Sequence, residues 1–313
     1  MVAPKRKAAR LHLLIVLTAL LVTPVKADES VAEPQWKQEA MEWREQRLER
    51  LTAPFGWLSL VALEFLPDGE WIVGTSPDSD VQLPSGPERW GVLTLERPLA
   101  WFEPADGTSV FVGEERLQSR VELVVAGDEP ATRVSAGSGW FEIAQRGERL
   151  VLRARDSEAV TRREFLGLEY FEFDPDWRIE ARWETHPEGS TIPVADVLGE
   201  LRDQPNPGRA VFSIAGQNYA LEALEADDQL FFIFADRTSG RSTYGLGRFL
   251  YSDLPDEGRV VLDFNRAYNP PCAFNAYTTC PLPPPENRLD LHVEAGELRY
   301  RGAGGIQASD LES

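Results

Sequence analysis

The chain has 313 residues, 42% of them hydrophobic, with 51 Asp and Glu against 32 Lys and Arg and a formal net charge of −19 at pH 7. A surface of that sign repels phosphate backbones and anionic lipid heads, so nucleic acid and direct membrane binding are not expected. The length suits one large domain or, more comfortably, two, and leaves a small molecule or another protein as the partner.

Residues 1–27 read as a cleavable export signal. Lys5, Arg6, Lys7 and Arg10 precede an apolar run from Leu11 to Val22, and Pro24 with Val25-Lys26-Ala27 supplies a small-residue cleavage point. The run falls short of the roughly 18 apolar residues that a membrane-spanning helix needs. No later run of this kind follows, so no span is expected after cleavage. The mature chain, beginning near Asp28, is expected in the periplasm or outside the cell. It keeps 27 basic and 51 acidic residues, a net of −24.

Residues 28–54 are expected to form an N-terminal helix, since Trp36, Ala40, Trp43 and Arg47 recur at three- and four-residue spacing. Its tryptophans are expected to cap the domain that follows. From 55 to 155 the pattern changes to short strands separated by Gly, Pro and Asp clusters, which points to a β-sandwich. The charged residues 156–164 read as a crossing between domains. A second antiparallel β-domain is expected over 165–313, with strands that include 230–234, 260–264 and 289–293. Leu230 to Phe234 is apolar on both alternating faces and is expected to be a doubly buried strand. The predicted fold class is therefore mainly β, a sandwich with a capping helix followed by a second antiparallel domain.

The stretch Gly74-Thr75-Ser76-Pro77-Asp78-Ser79-Asp80-Val81-Gln82-Leu83, with the later Gly107-Thr108-Ser109-Val110-Phe111-Val112-Gly113, resembles the opening and hairpin of forkhead-associated (FHA) domains. The resemblance spans roughly residues 65–155 and implies fold alone. Members of that family read phosphothreonine with an Arg, a Ser-x-x-His element and an Asn. Here Thr75 replaces the Arg, Ser85-Gly86-Pro87-Glu88 lacks the His, and Gly113 stands at the Asn position.

Residues 236–289 form a polar block between apolar segments. It holds Asp236-Arg237-Thr238-Ser239-Gly240, Tyr244-Gly245-Leu246-Gly247-Arg248, Asp263-Phe264-Asn265, Tyr268-Asn269-Pro270-Pro271-Cys272, Cys280-Pro281 and Glu286-Asn287-Arg288. Buried polar groups must find partners or carry a desolvation cost of a few kcal/mol, so such a block is an internal network or a lined pocket. These elements, with the opening Pro54-Phe55-Gly56-Trp57-Leu58-Ser59-Leu60, resemble the signature of a bacterial and archaeal domain-of-unknown-function family, number sixteen-eighty-four. The resemblance implies no activity.

The ligand-binding candidates are Arg248, Tyr244, Asn265, Tyr268, Asn269 and Asn287. Arg248 is read either as partner of Asp236 or Asp263, or as clamp for a ligand carboxylate or phosphate. Asp236 and Asp263 are the catalytic candidates, since carboxylates whose pKa values are driven apart by burial suit hydrolysis, possibly of a glycosidic bond. Turn-capping is the alternative for each. Cys272 and Cys280 are the only cysteines and are expected to form a disulfide in an oxidising compartment. No cofactor or metal is expected: after cleavage only His186 and His292 remain, the first in a solvated loop and the second on the exposed face of a strand. The leading reading is a non-catalytic extracytoplasmic binding or interaction protein. A hydrolase using the two Asp residues and a docking module using the sandwich are the alternatives.

Overall fold

The computed structural model describes residues 1–2, 34–127 and 130–307. The predicted export segment therefore falls outside the described residues, its first two apart. The described residues are mainly β, 42% strand and 14% helix, with an N-terminal helix and several antiparallel sheets.

The helix Gln35–Thr52 follows Pro34 and stops before Pro54, which cannot extend it. Its buried residues, Ala40, Arg47 and Leu51, lie seven and four apart on one stripe. The helix does not cap the strands that follow it, as expected, but docks on the C-terminal half. Trp36 meets Phe173 edge-on at 6.4 Å and Trp43 meets Tyr268 at 5.7 Å. The Arg44 guanidinium lies 3.7 Å from the centre of Phe173, and Arg47 pairs with Glu297. Periodicity identifies the buried face of a helix and is silent on what covers it.

Residues 60–156 build two sheets around one core. The first orders Leu60–Leu66, Arg149–Asp156, Gly139–Arg146, Val134–Ala136, Phe111–Val112 and Glu115–Arg116; the second orders Val81–Gln82, Gly69–Gly74, Gly91–Glu96, Leu99–Pro104 and Val121–Leu123. Val73, Leu93 and Phe102 from one sheet meet Phe141, Ile143 and Leu152 from the other, all fully buried. At about 25 cal/mol per Å² of apolar surface, this shared core is the main driving force for the half. The charged crossing contains a short helix, Val160–Arg163, tied back where Arg162 donates to the Thr52 carbonyl and Thr161 to that of Leu58.

The C-terminal half is one antiparallel six-stranded sheet. Its order is Arg248–Asp253, Gln229–Phe234, Gln217–Ala226, Gly208–Ile214, Arg178–Thr185 and Arg259–Asp263. Phe232, Phe234, Leu262 and Phe264 fill one face, while Ile233 and Phe249 on the other meet Ile192 and Val194 of the hairpin Thr191–Ala195/Leu201–Pro205. The Gln229–Phe234 strand is thus covered on both faces. Beyond Asp263 the chain runs irregularly through three short 3₁₀ turns. Leu289–Val293 is not the predicted strand: it makes separate backbone bonds to Ala235 and Arg237, which already lie beyond the end of a strand, so no ladder forms.

Candidate functional site

The signature block is wired internally. Arg248 opens the edge strand Arg248–Asp253, where Arg248, Leu250 and Ser252 share the inward face. Its guanidinium is wholly buried; one amino group donates to Asp236 Oδ2 at 2.6 Å and to the Val293 carbonyl, and the other donates to the Ala295 carbonyl. Asp236 is equally inaccessible and also accepts from the Thr238 amide and hydroxyl. Burial pulls the Arg248 guanidinium below its usual range, and the Asp236 charge pushes back. This sealed pair matches the reading of Arg248 as partner of Asp236, and neither side chain has an exposed face. Gly247 permits the geometry: its φ is 99°, and a Cβ there would lie 2.4 Å from Pro283 and 2.7 Å from the Phe234 carbonyl.

The other candidates divide similarly. Asn287 donates to the Glu222 and Ile233 carbonyls and accepts from the Glu222 amide, pinning the irregular segment to two strands. Asn269 donates to the Leu298 carbonyl, Asn265 bridges Asp263 and Asp174, and the Tyr244 hydroxyl donates to the Ile306 carbonyl. Asn287, Asn269, Asn265 and Tyr244 are all buried. Asp263 accepts from the Asn265 amide and side chain and lies 3.5 Å from Arg266. Asp236 is closed in with Arg248, whereas Asp263 lines the cleft described below. Cys272 and Cys280 form a disulfide beside Leu51, Leu58 and Phe274. His186 is not simply solvated, since its Nε2 lies 2.7 Å from Glu222 Oε2. His292 is exposed but, with its segment, lies outside any strand.

Two of the predicted residues, Asp263 and Tyr268, reach an open site. A cleft of about 970 Å³ lies between the N-terminal helix, the Phe55–Trp57 turn and the far edges of the C-terminal sheet. That volume is at the upper end of the roughly 300–1,000 Å³ usual for small-molecule sites. Trp43 and Trp57 line one wall, and Tyr251 and Tyr268 the other. Tyr268 is the hub: its ring lies 5.7 Å from Trp43, 6.5 Å from Trp57 and 6.5 Å from Tyr251, the last two nearly parallel. Arg47 places its guanidinium carbon 4.7 Å from both the Trp57 and the Tyr268 centroids. Burial pushes both the Tyr268 and the Tyr251 phenols up from their usual range.

The turn that shapes this wall depends on Gly56, where a Cβ would fall 2.5 Å from the Arg50 carbonyl and 2.6 Å from that of Leu51. Arg155 reaches across from the N-terminal sheets and donates to the Phe55 and Gly56 carbonyls, with burial lowering its pKa to about 10. The walls carry six arginines and six carboxylates. Glu180 pairs with Arg259, and Arg266 lies 3.6 Å from Glu39. Tyr251, Trp43, Trp57 and Arg259 were not among the candidate site residues read from the sequence. The available signal was an aromatic side chain on the outward-facing position of an edge strand, Tyr251 beside buried Leu250 and Ser252.

Residues 163–298 match the model of a family described as "Protein of unknown function (DUF1684)". The matched DUF1684 region takes in the whole C-terminal sheet and the wired block, whereas the helix and the Pro54–Leu60 turn precede it. An uncharacterized protein of Haloarcula marismortui, known from a solution NMR structure, is 34% identical over 44% of this chain and 78% of its own, with a TM-score of 0.37. No curated protein matches the chain.

Proposed function

We propose that the protein is an exported, non-catalytic binding protein whose ligand lies in the cleft beneath the N-terminal helix. The observation that carries this reading is the cleft itself. It joins aromatic walls and unburied charge at the junction of three separate chain segments, while the motif-rich block beside it is sealed. Sites of this size combine apolar surface with a few placed polar groups. The disulfide, and the lack among the described residues of a helix long and apolar enough to cross a membrane, are compatible with export. Two sheets sharing one core support an FHA-like sandwich for residues 55–155, serving as scaffold for the cleft wall that Arg155 contributes.

A thermal-shift screen of the mature protein against a chemically mixed small-solute panel tests the reading. The expected result is a concentration-dependent rise in Tm with at least one solute that is lost in Tyr251→Ala. A flat response across the panel, or a rise that Tyr251→Ala leaves intact, overturns it. Mass analysis of the secreted form tests export: an N-terminus near Asp28 supports it, and an intact Met1 refutes it.

A further inference from the structure

We infer that the cleft takes a neutral carbohydrate of more than one ring, an inference that rests on the ligand-binding reading above. Charge is the first argument. The chain as a whole has a large excess of acid, yet the cleft walls balance six arginines against six carboxylates. A site for an anion would carry surplus Arg, and a site for an organic cation would leave aromatic faces open among surplus carboxylates. Here the faces of Trp57 and Tyr268 are already met by Arg47. Balanced walls favour a ligand with no net charge.

Aromatic geometry is the second argument. Trp43, Tyr268 and Tyr251 form a row that crosses the cleft from helix to sheet edge. At the end of that row Tyr251 is 40% exposed, with its ring stacked on Phe231 at 4.7 Å and so held in one orientation. A pyranose ring is apolar on the C–H faces and polar at its rim. Trp43 and Tyr251, the rings of the row that Arg47 does not meet, receive such faces at low entropic cost, since these side chains have few torsions to freeze.

Hydrogen bonding is the third. Glu180 with Arg259, and Arg266 with Glu39 and Asp263, set planar acceptors beside planar donors. Adjacent hydroxyls on a sugar each offer a donor and an acceptor, and match such a pair without separating its charges. A carboxylate or ammonium ligand would have to compete with the partner already in place. The volume of about 970 Å³ leaves room for several rings in sequence.

The test uses the mature full-length protein, with saturation-transfer NMR and calorimetric titration of neutral hexasaccharides: cellohexaose, xylohexaose, laminarihexaose, maltohexaose and chitohexaose. The expected result is saturable binding of at least one, with saturation strongest at ring C–H protons. Tyr251→Ala is expected to weaken it at least tenfold, and Tyr251→Phe by less than about threefold, with both variants melting as one transition. Binding that ignores Tyr251→Ala overturns the cleft as the sugar site. If no hexasaccharide binds but an amino acid, peptide or aromatic acid raises Tm in a Tyr251-dependent way, the carbohydrate assignment fails and the cleft stands as a binding site. If neither panel binds, both fail.

Discussion

Arg248 and Arg259 begin the two outermost strands of the same sheet, and each faces a carboxylate. Arg248 and Asp236 have side chains 1% and 0% exposed; Arg259 and Glu180 have side chains 65% and 59% exposed. The first pair sits where motif residues are densest, the second where the sequence looks ordinary. Removing one partner of a buried pair strands a charge and costs about 3–5 kcal/mol, whereas an exposed pair contributes about 0–1 kcal/mol. A dense polar motif therefore marks what holds this fold in register, and an open, moderately polar cleft beside it is the place that the proposed function assigns to a ligand. The block also serves the cleft. Its irregular run after Asp263 carries Tyr268 to the wall and is fixed behind it by Asn269 and Glu297.

The contrast breaks most directly at Arg248. Arg248→Ala is expected to lose about 3–5 kcal/mol in urea unfolding, by leaving Asp236 buried and unpaired. If the loss is under 1 kcal/mol, the block is not the fold's internal wiring. Next in size is the disulfide. A Cys272→Ala, Cys280→Ala double variant is expected to lose roughly 2.5 kcal/mol, the chain-entropy value for so short a loop. Labelling of the native, unreduced protein should find no free thiol.

A smaller effect lies at high pH. Tyr170 and Tyr268 have phenols raised well above 10.0, chiefly by burial, with the Glu297 charge adding to it. The unfolded chain ionises them near 10, so it holds fewer protons than the folded chain above that pH, and stability falls as pH rises through 10. Below 10 the contribution is fully present. Urea midpoints at about pH 9 and about pH 11 should show the drop, and Tyr268→Phe should reduce it. An undiminished drop in that variant would place the late phenol elsewhere. The smallest effect belongs to the exposed pair: Arg259→Ala should change stability by less than about 1 kcal/mol. A larger loss would mean that the cleft wall is structural as well.

Much of the architecture was legible because it rests on local pattern. The mainly β class follows from alternation and turn residues, and the two-faced burial of Leu230–Phe234 from its unbroken apolar run. The cysteine pairing follows from there being only two. The partner of the helix was not legible, because Trp36 and Trp43 meet residues more than a hundred positions away. Residues 289–293 alternate as a strand would, yet the segment they lie against offers no regular ladder. The cleft itself was not legible, for a physical reason. Arg, Asp, Asn and Tyr in a cluster are equally suited to bonding one another and to bonding a ligand, and only three-dimensional burial separates the two uses. Tyr251 and Trp43 looked like ordinary amphipathic positions until the helix and the sheet edge were brought together.

The bond from Arg47 to Glu297 joins residues 250 positions apart. Closing so wide a loop comes late in folding. On a ribosome the helix is among the first ordered elements of the described chain to emerge, and its anchor is among the last. Until Glu297 arrives, the helix that supplies Trp43 lacks its buried ion pair and is held by its other contacts, those of Trp36 and Trp43 among them. The cleft wall is therefore completed late: a chain cut short of Glu297 could keep the whole N-terminal core and still hold this wall loosely.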